Sequence, residues 1–574
     1  MSVILLSSNE LEELSRKADD FILAKDHGKL EKFIESSLKN NHSFENLYDE
    51  ASFYYTMGNC SQEIYNYNSL DWYSDELSKA VILFRKALYT IERIEIPTDK
   101  DTLLHSCINT NLGNKLSDQG RFFCCIPLWD EAIKHQNPVA LISKARNEIS
   151  IAGSIYDSSH MHYHYFTAYK LINLSIEHQD KLHPEQKDYL SRGSDLIKFK
   201  EWFEGHYNLE EFEFYKEFKD EVETKNQGKY FKWCGDNKLF INDLNDVCNY
   251  DIAHQDILTI PSFSQNINFD ISKHEELAYH GNFDEIKNDY CYGRFLTFSA
   301  RGESKDHDHF FNKTYPHVDD MAYSITNLKA SHYKSAFRTL YSLFDKIAYF
   351  INRFFDLNDI SLDYRISFDS IFRNLNNRKK WKPHSKLKNS KNYFIHALFY
   401  ILKDIRDVQD STLKSNSLDP DAQEIFKIRN AIEHRSLKII DDLGFQSIIP
   451  DINYSHSKLE QLYYEIEVFK VKIQQINCEF DSEKNKSSRS KLVKEKERFE
   501  KGLSEIEEKM YEQKKLSSHS MLITESEFES RLMTLMKLAR NSIMYLSLAI
   551  HFEEKNKPDD GVIRMSKEVP LKSS

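Results

Sequence analysis

The stretch RNAIEH, residues 429–434, sets an arginine and a histidine five positions apart, with an asparagine directly after the arginine. An imidazole takes or gives a proton near neutral pH, and a guanidinium stays charged and grips phosphate oxygens with two prongs. Together they suit transfer chemistry at a phosphodiester: His434 moves the proton, Arg429 holds the phosphate, and Asn430 orients either through its amide. Spacing does not single this pair out, because Arg301…His307 and Arg378…His384 have comparable intervals. Those two lie in stretches rich in Gly, Asp or Pro, where no helix fixes their geometry. In DPDAQEIFKIRNAIEH, winding at about 100° per residue gathers Ile425, Ile428 and Ile432 on one side and Arg429, Asn430, Glu433 and His434 on the other. The competing reading is a solvated helix face carrying an Arg429–Glu433 ion pair.

Other residues bear on the same chemistry. Arg540-Asn541 repeats the arginine–asparagine pair with Tyr545 where the histidine would stand, and reads as structural. Asp345, on a long apolar-striped segment, could hold Arg429 or His434, or be an exposed acid. Arg378, Lys379, Lys380, Trp381, Lys382, Lys386 and Lys388 pack cations around an aromatic ring. Single-stranded RNA asks for that combination, charge for phosphates and a ring for base stacking; a solvated basic loop would look the same. His160, His162 and His164, and Asp306 to His309, are histidine-rich, but neither group has a second ligand set at the usual separation, so no metal is expected. No glycine loop for phosphates or dinucleotides occurs, so no cofactor is expected either.

These residues need a scaffold, and composition bounds it. At 574 residues the chain should hold about two to four domains. Few Gly (15) and Pro (11) amid abundant Leu, Lys, Glu, Ile and Phe favour an all-α fold. A net charge of −13 argues against coating nucleic acid through bulk charge. The eight scattered cysteines read as reduced structural thiols. No signal peptide or membrane-length apolar run is evident, so the expected setting is the cytoplasm, without membrane contact.

Small and large residues recur in order: Met57-Gly58, Ala80, Phe84 and Ala87, then Leu112-Gly113, Leu116, Gly120, Trp129 and Ala132. This resembles the tetratricopeptide pattern, in which small residues let paired helices approach. The first unit carries about ten extra residues near NYNSLDWYSD. The expected organisation is a helical solenoid over 1–222 and a mostly irregular connecting segment over 223–315. A helical domain follows over 316–454 and 517–555, interrupted by 455–516, with a disordered tail over 556–574. In the interruption, Leu459, Leu462, Ile466, Phe469, Ile473, Ile476 and Phe480 alternate by three and four, and Leu492, Phe499, Leu503, Ile506 and Met510 keep heptad spacing. An antiparallel hairpin within the chain, or a parallel coiled coil between two chains, would bury these stripes.

RNAIEH resembles the RNxxxH signature of the HEPN superfamily, many of whose members are metal-independent endoribonucleases. The segments YFKWCGDNKLFINDLNDV…AHQDILTIP, YGRFLTFSARGES, FRTLYSLFDKIAYFIN and LARNSIMYLSLAIHFEE are similar to a bacterial HEPN branch with N-terminal tetratricopeptide repeats, over about 225–555. The resemblance implies an all-α domain that dimerises with its motif helices facing each other, and membership in toxin–antitoxin or phage-defence systems. One expectation is therefore a homodimeric RNase acting on RNA and regulated by a protein or peptide bound to the repeats. The other is a non-catalytic scaffold or sensor that dimerises and binds protein or nucleotide partners.

Overall fold

The computed structural model describes residues 4–39, 42–68, 71–210, 222–266, 273–302, 310–317, 324–357, 365–372, 382–405, 420–443, most of 458–480, 486–516, 520–557, 564–566 and 569. The described residues are helical apart from short connections and three two-stranded sheets: β1 (Ile4–Leu6) with β2 (His42–Phe44), β3 (Ser264–Asn266) with β6 (Arg564–Ser566), and β4 (Ser436–Ile440) with β5 (Ser520–Thr524). The chain divides into two compact units. One comprises 1–298, 339–426 and 534–574; the other comprises 299–338 and 427–533.

The first unit opens with α1 (Ser8–Leu23), α2 (His27–Lys39), α3 (Leu47–Asn68), α4 (Asp75–Ile91), α5 (Asp99–Asp118), α6 (Ile126–Lys134), α7 (Pro138–Ser154), α8 (Ser158–Glu177) and α9 (Asp195–His206). From α3 to α9, each helix packs on the next. The starts are written locally. Thr98 and Asp101 form a reciprocal capping box on α5, and Asn137 caps α7 with Pro138 as its first residue. The small residues act as the sequence pattern requires. A Cβ on Gly58 would lie 2.7 Å from the Phe84 ring, and one on Gly113 2.6 Å from Trp129 Nε1. Phe84 and Trp129 are buried in one cluster with Ala80, Leu112, Leu116 and Ala132. Each such ring contributes roughly 2–3 kcal/mol through burial.

The stretch 223–315, expected to be mostly irregular, holds α10 (Lys225–Asp236), α11 (Leu244–Val247) and the thirty-residue α12 (Lys273–Gly302). The buried side of α12 includes Phe283, Ile286, Tyr290, Arg294 and Thr297. A period counted on apolar residues alone breaks at Arg294, whose guanidinium is buried because Asp256 takes it in a two-pronged pair at 2.9 and 2.7 Å.

After α13 (Leu328–Phe354), α14 (Phe368–Phe372) and α15 (Ser385–Lys388), the almost wholly buried α16 (Tyr393–Ile405) completes this unit's centre. Trp72, between α3 and α4, packs on it. Trp72 stacks on His396 with ring centroids 4.0 Å apart, its Nε1 donates to the Lys388 carbonyl, and its own carbonyl accepts from Tyr400 Oη at 2.6 Å. Asp404 is gripped by two arginines from the N-terminal helical region, Arg85 at 2.8 Å and Arg121 at 2.6 Å. Gly120 adopts φ +76°, and any Cβ there would meet the Tyr393 carbonyl.

The second unit contains the C-terminal part of α17 (Pro420–His434), strand β4 (Ser436–Ile440), strand β5 (Ser520–Thr524) and the start of α20 (Glu525–Lys555). β4 and β5 pair in parallel, Ser436 opposite Ser520. The described residues of 458–480 form a helix, α18, that packs on α19 (Lys486–Leu516). Leu462 and Ile466 meet Ile506 and its neighbours Leu503 and Met510, while Phe469 meets Phe499 at 5.6 Å. Rising numbers on one helix meet falling numbers on the other, so the two stripes bury each other antiparallel within one chain.

Candidate active site

The last turn of α17 carries the motif. Ile425, Ile428 and Ile432 are buried, whereas Arg429 and Asn430 are half-buried and Glu433 and His434 exposed. The apolar stripe thus anchors the helix and its other face reaches solvent. Arg429 Nη1 donates to Asn430 Oδ1 at 3.0 Å and to His434 Nε2 at 3.3 Å. A guanidinium has only donors, so in this contact Nε2 is on the accepting side. The arrangement holds a basic nitrogen beside a fixed positive charge, in reach of solvent.

Two basic residues one turn apart on α13 fix this end of the helix. Arg338 Nε donates to Glu433 Oε1 at 3.0 Å and its Nη2 to the Ile432 carbonyl at 2.9 Å. Lys334 Nζ donates to the Leu437 carbonyl in β4 at 2.7 Å. The two side chains therefore grip the backbone on both sides of His434, and a cation at a helix C-terminus complements the helix dipole. Glu433 pairs with Arg338, not with Arg429 as the solvated-face reading supposed. Neither Arg338 nor Lys334 was legible as part of the site, because α13 reads as an amphipathic core helix and its polar face names no partner.

The second arginine–asparagine pair makes the same internal contact, Arg540 Nη1 to Asn541 Oδ1 at 3.0 Å. Its surroundings are opposite: Arg540 is 1% exposed. Its Nε donates to the Phe240 carbonyl and its Nη2 to the Asn242 carbonyl, both at 2.8 Å, and Asp246 lies 2.6 Å away. Asn541 donates to Cys124 Sγ, and Tyr545 Oη accepts from the Phe123 N–H at 3.0 Å. This pair joins α20 to the 240–246 segment and to the α5–α6 turn.

Asp345 accepts from the Phe368 N–H at 3.2 Å, at the start of α14. Of the basic cluster, Arg378, Lys379, Lys380 and Trp381 lie outside the described residues. Lys382 is exposed, Lys386 pairs with Asp356 at 3.2 Å, and the Lys388 ammonium lies 5.9 Å from the Tyr73 ring. Asp306 to His309 are also outside the described residues.

His160 and His164 are one turn apart on α8 and enter a buried chain of charges. Glu148 meets His164 Nδ1 at 2.6 Å, Asp243 meets His164 Nε2 at 3.1 Å, and Asp243 also meets His160 Nδ1 at 2.9 Å. Burial alone would lower the pKa of His164, but hydrogen bonds and charge from Asp243 and Glu148 raise it to about 9. His162 turns aside against Tyr207.

The seven described cysteines form no disulfide. Among the described residues no helix is long and apolar enough to cross a membrane. Residues 271–471 and 467–553 match the family model of the LA2681-like HEPN domain. No curated protein and no solved structure matches the chain.

Proposed function

We propose, from the premise that residues 271–553 are a HEPN domain of the LA2681-like kind, that this protein is a metal-independent endoribonuclease whose catalytic residues are Arg429 and His434. The observation that carries the reading is the 3.3 Å contact between Arg429 Nη1 and His434 Nε2 on an exposed surface. As the phosphate draws the Arg429 guanidinium to itself, His434 Nε2 is released from that contact and takes the proton of a ribose 2′-hydroxyl. The 2′-oxygen forms its bond to phosphorus as the bond to the 5′-oxygen breaks, and Arg429 stabilises the charge gathered on the phosphate oxygens. Asn430 holds the guanidinium in place.

The leaving 5′-oxygen needs a proton, and one chain brings one such imidazole. A homodimer with its motif helices facing supplies the second from the other copy, with no metal or cofactor. Solenoid-like repeats suit binding of a protein or peptide regulator, in keeping with a role in toxin–antitoxin or antiviral defence. Single-stranded RNA incubated with the protein in EDTA tests the reaction: 2′,3′-cyclic phosphate and 5′-hydroxyl ends that vanish with His434→Ala support it. Intact RNA with the parent protein, or equal cleavage by the variant, overturns it and leaves the domain a scaffold.

A further inference from the structure

Away from the motif, the repeats bring together three side chains with ligand chemistry. His105 lies on α5, Glu131 on α6, and His135 directly after α6, and one ligand atom from each falls within 4.8 Å of the others. Glu131 and His135 stand four apart, so one helical turn aims both at the same spot. We propose that these three residues form a binding site for a divalent transition-metal ion of the zinc class, which ties α5 to the end of α6.

The donor set suits such an ion. Two imidazoles and one carboxylate are three ligands of a tetrahedral zinc site whose fourth position takes water or another oxygen. Ligand atoms about 2.0–2.1 Å from a tetrahedral zinc lie about 3.3 Å from one another, so the three, now within 4.8 Å, draw in by up to about 1.5 Å on binding. The Glu92 carboxylate lies 3.8 Å from His105 Nε2 but outside the converging set, so water takes the fourth position. At present His105 Nε2 takes a hydrogen bond from Asn109 Nδ2 at 3.1 Å, and Glu131 is paired with the exposed Lys134. A metal held by Glu131 and by His105 Nε2 displaces both contacts.

The backbone that carries the ligands is fixed independently of them. Buried Ser106, next to His105, donates to the Ala132 carbonyl at 3.4 Å. Asn137, two residues past His135, donates to Ser106 Oγ at 3.1 Å and to Thr110 Oγ1 at 3.2 Å. Between them Gln136 takes a left-handed φ of 56°, which sets the turn that presents His135. The backbone of the site is thus set before the ion arrives, and only the ligand side chains must reorder on binding.

Equilibrium dialysis of the full-length chelator-treated protein against zinc sulfate decides the matter, with Co(II) as a second probe. The expected result is one zinc per chain, a rise in Tm on adding zinc, and a tetrahedral Co(II) absorption band. His135→Ala and Glu131→Gln change partly or fully exposed side chains and should leave the fold intact. Each should weaken binding at least about tenfold, since losing even an outer partner of a metal ligand costs ten- to a hundredfold. Absence of bound zinc, or equal binding by both variants, overturns the proposal. RNA cleavage in EDTA is untouched by either outcome, so this site and the nuclease reading fail separately.

Discussion

Arg338 donates to Glu433 at 3.0 Å, so the acid beside His434 is neutralised from α13 rather than by the arginine of its own helix. Arg429 donates instead to Asn430 and His434, the contacts on which the proposed phosphate chemistry rests. On the proposed nuclease reading, Arg338 is a positioning residue. Arg338→Gln should lower kcat for RNA cleavage about tenfold, roughly 1.4 kcal/mol at the barrier, while KM and Tm change little. The pair is largely exposed and adds no more than about 1 kcal/mol to stability. Rescue by Arg338→Lys would be partial, because one ammonium cannot reach both Glu433 and the Ile432 carbonyl in fork geometry. Unchanged kcat in Arg338→Gln would remove Arg338 from the site.

His434→Ala should cut cleavage at least about a hundredfold, the usual scale for a lost general base. Its unfolding midpoint in urea should match the parent's within about 0.5 kcal/mol, as expected for an exposed side chain. Arg429→Lys should also fail in cleavage assays, since the two-pronged grip is lost. Full activity in either variant would shift the chemistry elsewhere.

Asp404 is the carboxylate on which Arg85 and Arg121 of the N-terminal helical region converge. Burial alone would raise its pKa, but Arg121 and Arg85 hold it well below the usual carboxylate range. Asp404→Ala strands both guanidiniums, one of them buried, and should cost about 3–5 kcal/mol, measured as a lower urea midpoint. A loss under about 1 kcal/mol would show that the cluster is not a structural tie.

His164 gives stability a pH signature. Its folded pKa, about 9, lies above the ordinary 6.5, so the folded state holds the proton more tightly. The contribution is complete below about pH 6.5 and is lost as pH rises through about 9, by up to about 3 kcal/mol. Urea titrations at pH 6, 7.5 and 9 should show the fall. His164→Gln, less stable at pH 6, should flatten it; a parallel slope in the variant would assign the pH dependence to other groups.

Periodicity made much of the architecture legible. The α17 stripe, the heptads of 458–516 and the small-and-large pairs Gly58 with Phe84 and Gly113 with Trp129 are local patterns, and each forms the packing that its spacing implies. The region 223–315 was not legible, because Arg294 and Thr297 occupy the buried face of α12 and look like surface residues until Asp256 is brought to meet Arg294.

The sequence by itself determined that two arginine–asparagine pairs lie on helices, and both make the same 3.0 Å contact within their own turn. Which pair could meet a substrate was decided only in three dimensions. Arg540 is enclosed by Phe240, Asn242 and Asp246, some three hundred residues earlier, whereas the end of α17 is steadied from beside by Arg338 and left open to water. A helix's own geometry follows from near neighbours, but burial depends on which distant segments arrive to cover it.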